Sequence, residues 1–166
     1  MLVRLALERD VPEIIAMSRA ACEETCPNEP FSIERFEKTV RSYFDRADPT
    51  FFICEDRARI VGLLAARICE FDYRDGIYTT QRFLYVKPGY RGTRASALLL
   101  RELVAWSHRL GAVAVEGGND NGFQSDRTRK LLEHFGFGFV GFAMRRRLDG
   151  QEGPGVQSGS SRSAAG

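Results

Sequence analysis

The sequence predicts an α/β fold of the three-layer α+β kind, a mixed central sheet flanked by helices in the order β-α-α-β-β-β-α-β-α-β. Three observations carry this. Short runs rich in strand formers alternate with stretches whose apolar residues recur three and four apart. Turn formers separate them, such as Asp56-Arg57-Ala58 and Asp75-Gly76. The run ending in Leu84-Tyr85-Val86 passes through Pro88 and a glycine-bearing basic turn directly into helical spacing.

Residues 2–7 read as the first strand. Asp10 ahead of Val11-Pro12-Glu13 is a helix start, an N-cap acceptor followed by Pro and Glu in the first turn. That helix ends before Pro27. Ser32 caps the next, in which Ile33, Phe36, Val40, Tyr43 and Phe44 share a face up to about residue 46. Residues 50–54 and 59–69 form a hairpin, with Gly62 marking a bulge or a close approach. Residues 77–86 are the fourth strand. A helix after Gly92 runs to Leu110 and stops at Gly111. Residues 112–116 are a short buried strand, Ser125 caps a helix through Phe135, and 139–148 read as the last strand.

The length of 166 residues suits one domain with its own core, placed at 1–148. The Gly/Ser-rich tail at 149–166 carries little apolar surface and is expected to be disordered. Apolar content of 43% and charged content of 28% are those of an ordinary globular chain. A net charge of +2 argues against a dedicated nucleic-acid binder. No apolar run approaches the ~20 residues of a membrane span. The first ten residues are too short and too charged for a secretory signal, so a cytoplasmic location is expected. The four cysteines follow no zinc-binding spacing; reduced thiols are expected and no metal site.

The chemistry concentrates where the fourth strand meets its helix. The first turn of a helix has free backbone N–H groups and a positive dipole end, which hold anions such as pyrophosphate. Arg91 and Arg94 add charge there. The stretch from Leu84 to Leu103 resembles the acyl-CoA-binding motif of the GNAT superfamily of N-acyltransferases. In that family a Leu-Tyr-Val-like strand end is followed by an Arg/Gln-x-x-Gly-x-Gly/Ala turn and a long helix. Here the turn reads Arg91-Gly92-Thr93-Arg94-Ala95-Ser96, with Arg94 at the central glycine position and Ser96 at the Gly/Ala position. The resemblance covers about 2–148, including the Gly136-Phe137 step after the last helix.

The resemblance implies a GNAT-like sheet whose fourth strand splays from the fifth. Backbone groups of Leu84, Tyr85 and Val86 would pair with the pantetheine arm of acetyl-CoA. Arg91, Gly92, Thr93, Arg94, Ala95 and Ser96 would wrap its pyrophosphate. Ser125 falls where the family often has Asn. The implied reaction is transfer of an acetyl group to a primary amine by direct attack in a ternary complex. Glu116, ending the fifth strand, is the first candidate for the base, with Asp120 and Asp126 weaker. Gln81 and Arg82 fall where some relatives carry a catalytic Glu. Leu132 falls at the position of the family's usual acid tyrosine and has no proton to give. Tyr73, Tyr78 and Tyr85 are other phenols.

Two rival readings stay open. One is a catalytically weak acyl-CoA-binding or regulatory module. The other is a nucleic-acid-associated member using Arg127, Arg129, Lys130 and Arg145-Arg146-Arg147. His108 and His134 lie near helix ends, where a histidine suits the dipole. The acceptor itself is not named by the sequence. Glu23, Glu24, Glu29, Glu70, Asp72 and Asp75, in two segments that shape the acceptor pocket of relatives, would suit a cationic amine or form a solvated surface.

Overall fold

The computed structural model describes residues 1–119, 122–141, 143, 144, 146 and 148. Asp120, Arg145, Arg147 and the tail at 149–166 lie outside the described residues. Five strands form one sheet in sequence order: β1 (Leu2–Leu5), β2 (Thr50–Asp56), β3 (Arg59–Glu70), β4 (Ile77–Val86) and β5 (Ala114–Glu116). The first four run antiparallel and β5 is parallel to β4. The helices are α1 (Val11–Thr25), α2 (Ile33–Arg46), α3 (Ala95–Arg109) and α4 (Ser125–His134).

Alternation along the strands builds two apolar layers. Phe51 and Ile53 of β2 face α1 and α2, where they meet Ile14, Met17 and Val40. Phe52 and Cys54 face α3, where they meet Leu99, Leu100 and Leu103. All ten of these are at most 2% exposed. Burial of a side chain of this size is worth roughly 1.5–3 kcal/mol, so the two layers clamp the sheet from both faces.

Local chemistry sets the element ends. Ser32 Oγ accepts the Arg35 N–H at 3.3 Å and caps α2 as expected. Asp10 does otherwise. It makes no side-chain hydrogen bond to α1. Its Oδ2 accepts the Leu7 N–H at 2.8 Å, and both oxygens take the Arg4 guanidinium. A nearby arginine on β1 outcompetes the helix end for the carboxylate. Gly62 marks both expected features. The register skips Val61 beside it, and an added Cβ would lie 3.0 Å from Leu99 Cδ1.

The strand expected at 139–148 is not formed among the described residues. Phe139, Val140, Met144 and Leu148 are all exposed. Period-two apolar patterning makes a strand only where a ladder is available. The neighbouring edge belongs to β5, which is three residues long.

Candidate active site

β4 builds the site. Up to Thr80 it is held on both sides, by β3 and by β5, through the pairs Tyr78↔Ala114, Thr79↔Val115 and Thr80↔Glu116. Beyond Thr80 only β3 holds it. The β3–β4 register skips Arg82, between Ala66↔Gln81 and Ala65↔Phe83. A bulge bends its strand and raises the local twist, so β4 and β5 diverge there. From Gln81 to Val86 the β5 side of β4 has no strand partner among the described residues. Such an edge is a template for an extended chain.

The turn after β4 closes the far end. Pro88–Tyr90 is a single 3-10 turn, and Gly92 follows at φ +80°. An added Cβ at Gly92 would meet nothing within 4 Å, so conformation rather than crowding requires the glycine. Thr93 is spent inside the turn: its Oγ1 donates to Tyr90 O at 2.6 Å and accepts the Ala95 N–H at 3.3 Å. Arg91 reaches across to α1. Its Nη1 and Nη2 donate to Glu24 Oε1 and Oε2 at 2.6 and 2.5 Å, and its Nε donates to Val86 O at 3.0 Å. The hydrogen bonds to Glu24 raise the Arg91 pKa further above its ordinary value, against the effect of burial.

Two cavities open along the unpartnered edge. A cleft of about 170 Å³ runs past Arg91, Gly92 and Ser96, and Gln124, at the cap of α4, and Arg127 of α4 also line it. A larger cavity of about 360 Å³ lies beside it. Ser18, Ala21, Cys22 and Thr25 line it from α1, at the i, i+3, i+4, i+7 spacing of one helix face. Leu84, Tyr85, Thr25, Phe123, Thr128 and Leu131 border both spaces, so the two meet at β4. Two buried oxygens at the larger cavity, Ser18 Oγ and Gln81 Oε1, have no hydrogen-bond partner. Burial pushes the Cys22 thiol up, toward its protonated form.

Residues 16–137 match the model of the acetyltransferase (GNAT) family. The chain belongs to the GNAT acetyltransferase family. Solved structures agree on the fold. A possible acetyltransferase from Clostridium difficile superposes with a TM-score of 0.73 at 14% identity, covering 87% of this chain and 95% of that one. A predicted acetyltransferase from Clostridium acetobutylicum, solved with acetyl-CoA, gives 0.72 at 15% identity, with 88% and 95% covered. An acetyltransferase from Trypanosoma brucei gives 0.69 at 21% identity, with 88% and 98% covered. No curated protein matches the sequence.

Against this GNAT frame the sequence-predicted residues separate. Leu84, Tyr85 and Val86 lie on the unpartnered stretch of β4 and border the cleft. Of the turn, Arg91, Gly92 and Ser96 border the cleft, whereas Thr93, Arg94 and Ala95 do not. Arg94 is an exposed residue at the start of α3. Ser125 is not the cap of α4; Gln124 holds that place in a left-handed conformation at φ 49°, and Ser125 borders neither cavity. Glu116 ends β5 opposite Thr80, is exposed and borders neither cavity; nor does Asp126. Leu132 is buried and lines the larger cavity. His108 and His134 sit in the last turns of α3 and α4 and line neither space.

The six acidic residues singled out as an acceptor surface do not line the larger cavity. Glu23 pairs with Arg19 and Glu24 with Arg91, so both are neutralised locally. Arg129 pairs with Glu133 and lies near Asp126, which breaks up the basic group proposed for nucleic acid. Sequence reasoning missed Ser18, Phe31, Phe36 and Phe123 as cavity walls. The small-residue face of α1 was the available signal. The aromatic walls come from separate segments that no spacing links.

Proposed function

We propose that the protein is an N-acetyltransferase that moves an acetyl group from acetyl-CoA to a primary amine by direct attack in a ternary complex. One observation carries the reading: the cleft and the larger cavity share a wall at Leu84 and Tyr85, where β4 has lost its strand partner. Acetyl-CoA supplies an activated thioester. The free edge from Gln81 to Val86 would align the pantetheine arm as a strand. The start of α3, Ser96, Arg91 and Arg127 would take the phosphates. Gly92 leaves backbone open beside them.

In the reaction the amine nitrogen attacks the thioester carbonyl carbon. The C–N bond forms, the C–S bond breaks, and CoA leaves as the thiolate. The nitrogen sheds its proton and the thiolate gains one. Glu116, outside both cavities, would accept the proton through a water. With Leu132 in place of the family's usual tyrosine, water protonates the thiolate. Leu132 also favours a second reading, a module that binds acyl-CoA with little turnover.

Calorimetric titration with acetyl-CoA tests the proposal. Saturable one-site binding is expected, weakened about 10-fold or more by Arg91→Ala/Arg127→Ala. No heat with acetyl-CoA or CoA in folded protein overturns it. Binding without CoA release across an amine panel selects the second reading. A strong drop in turnover with Glu116→Gln, at unchanged acetyl-CoA affinity, would support the relayed base.

A further inference from the structure

We propose that the acceptor is an α-amino acid with a large apolar or aromatic side chain. Arg82 holds its carboxylate and Gln81 Oε1 accepts a hydrogen bond from its amine. This rests on the acetyl-transfer reading above.

The larger cavity is small and apolar. Its walls include Phe31, Phe36, Phe83, Phe123, Leu131 and Leu132. At about 360 Å³ it takes a small ligand rather than a polymer segment. Among the described residues no carboxylate lines it. Arg82 is the one charged residue among the described residues that line it. Arg82 is exposed, and no carboxylate or carbonyl pairs with it among the described residues. Arg91 nearby is by contrast paired with Glu24 and bonded to Val86 O. An unpaired guanidinium on a residue that lines an apolar cavity suits a ligand carboxylate, which its planar fork can hold bidentately.

The second contact is next to it in sequence. Gln81 Oε1 is buried without a donor. It lies where β4 and β5 diverge, 3.5 Å from the position a Cβ on Gly117 would take. A buried acceptor without a partner costs stability unless a ligand supplies the hydrogen. The register skip at Arg82 is where these neighbouring residues both reach the same cavity. Neighbouring contacts suit two groups on one carbon, which is the arrangement in an α-amino acid. The amine then stands beside the strand edge assigned to the thioester. It forms the amide as CoA leaves; one proton passes from nitrogen through a water toward Glu116, and the thiolate takes one from water.

The test is product formation from acetyl-CoA with L-phenylalanine, phenethylamine or spermidine, read by mass of the acetylated amine. Phenethylamine keeps the body and lacks the carboxylate. We expect kcat/KM for phenylalanine to exceed that for phenethylamine by about 10-fold or more. Arg82→Ala should remove that difference by raising KM for phenylalanine alone. Gln81→Leu should lower kcat for both aromatic amines, and Gln81→Glu, which keeps an acceptor, should restore part of it. Preference for phenethylamine or spermidine overturns the proposal, as does an unchanged ratio in Arg82→Ala. Acetyl-CoA binding with no acetylated amino acid also overturns it and leaves acetyl-CoA binding intact. Absence of acetyl-CoA binding removes the reading on which both depend.

Discussion

Arg91 and Glu24 form a two-pronged ion pair, at 2.6 and 2.5 Å, that ties the last turn of α1 to the turn after β4. The pair places a carboxylate beside the cleft proposed for the cofactor phosphates. It also competes with those phosphates for Arg91.

Removing that carboxylate should therefore help an anionic ligand. Glu24→Gln is expected to tighten acetyl-CoA binding about 2- to 5-fold, the scale of a partly exposed ion pair. Arg91→Ala should act in the opposite direction, because it leaves Glu24 uncompensated. The gain should shrink as salt is raised, since screening weakens both charges. Calorimetry at two ionic strengths checks this. Equal affinity in wild type and Glu24→Gln at low salt would refute it.

A second prediction concerns acid stability. Burial pushes the Asp10 carboxyl up, but the hydrogen bonds from Arg4 and from the Leu7 N–H outweigh it and hold it below the ordinary carboxylate range. Glu55 takes the same arginine from β2. A depressed carboxyl contributes stability that is fully present above its unfolded pKa of about 3.9 and is lost as pH falls through the lower folded value. Asp10→Asn should cost about 3 kcal/mol near neutrality, as for a largely buried pair that is broken. The difference in melting temperature between Asp10→Asn and wild type should narrow below about pH 4. A pH-independent difference would show that Asp10 acts by shape alone.

The base of the fork offers a third. Thr79 Oγ1 and Ser107 Oγ lie 2.6 Å apart, both fully buried. Ser107 Oγ donates to Leu103 O at 2.7 Å, so its proton is spent and Thr79 donates to it. Ser107→Ala should strand the Thr79 hydroxyl and cost roughly 1–3 kcal/mol. Adding Thr79→Val should recover part of that loss, because both partners are then apolar. Denaturant unfolding of the two single variants and the double variant measures the coupling. Strict additivity would contradict the shared hydrogen bond.

Gly117 tests the opening itself. Its backbone lies outside the left-handed region, so alanine fits the conformation. The added Cβ would stand 3.3 Å from Leu132 Cδ2 and Phe137 Cε1, and 3.5 Å from Gln81 Oε1. Gly117→Ala should cost about 1 kcal/mol of stability, the low end of overpacking, and a larger fraction of turnover. Gly138→Ala, with nothing within 4 Å and no place in either cavity, should leave turnover unchanged. Parallel loss in both variants would mean that crowding at the fork is not the cause.

The amino-acid sequence by itself determined most of the elements, including the strand–turn–helix on which the cofactor proposal rests. Helix caps, apolar period and turn residues act over a few positions, so Ser32, the α2 face and the strand–turn–helix from Leu84 to Leu103 were legible directly. The departure at Leu132 was legible for the same reason. Tertiary structure decided what those residues have as partners. Arg91 and Glu24 are 67 positions apart, so only the packing of α1 against the β4 turn could pair them. The same holds for Asp10, drawn to Arg4 rather than to its own helix. Glu116 ends the expected strand yet borders neither cavity. The strand expected at 139–148 had the right pattern, but pairing depends on the length of the neighbouring edge. Local forces wrote the elements, and contacts between distant segments chose which side chains meet.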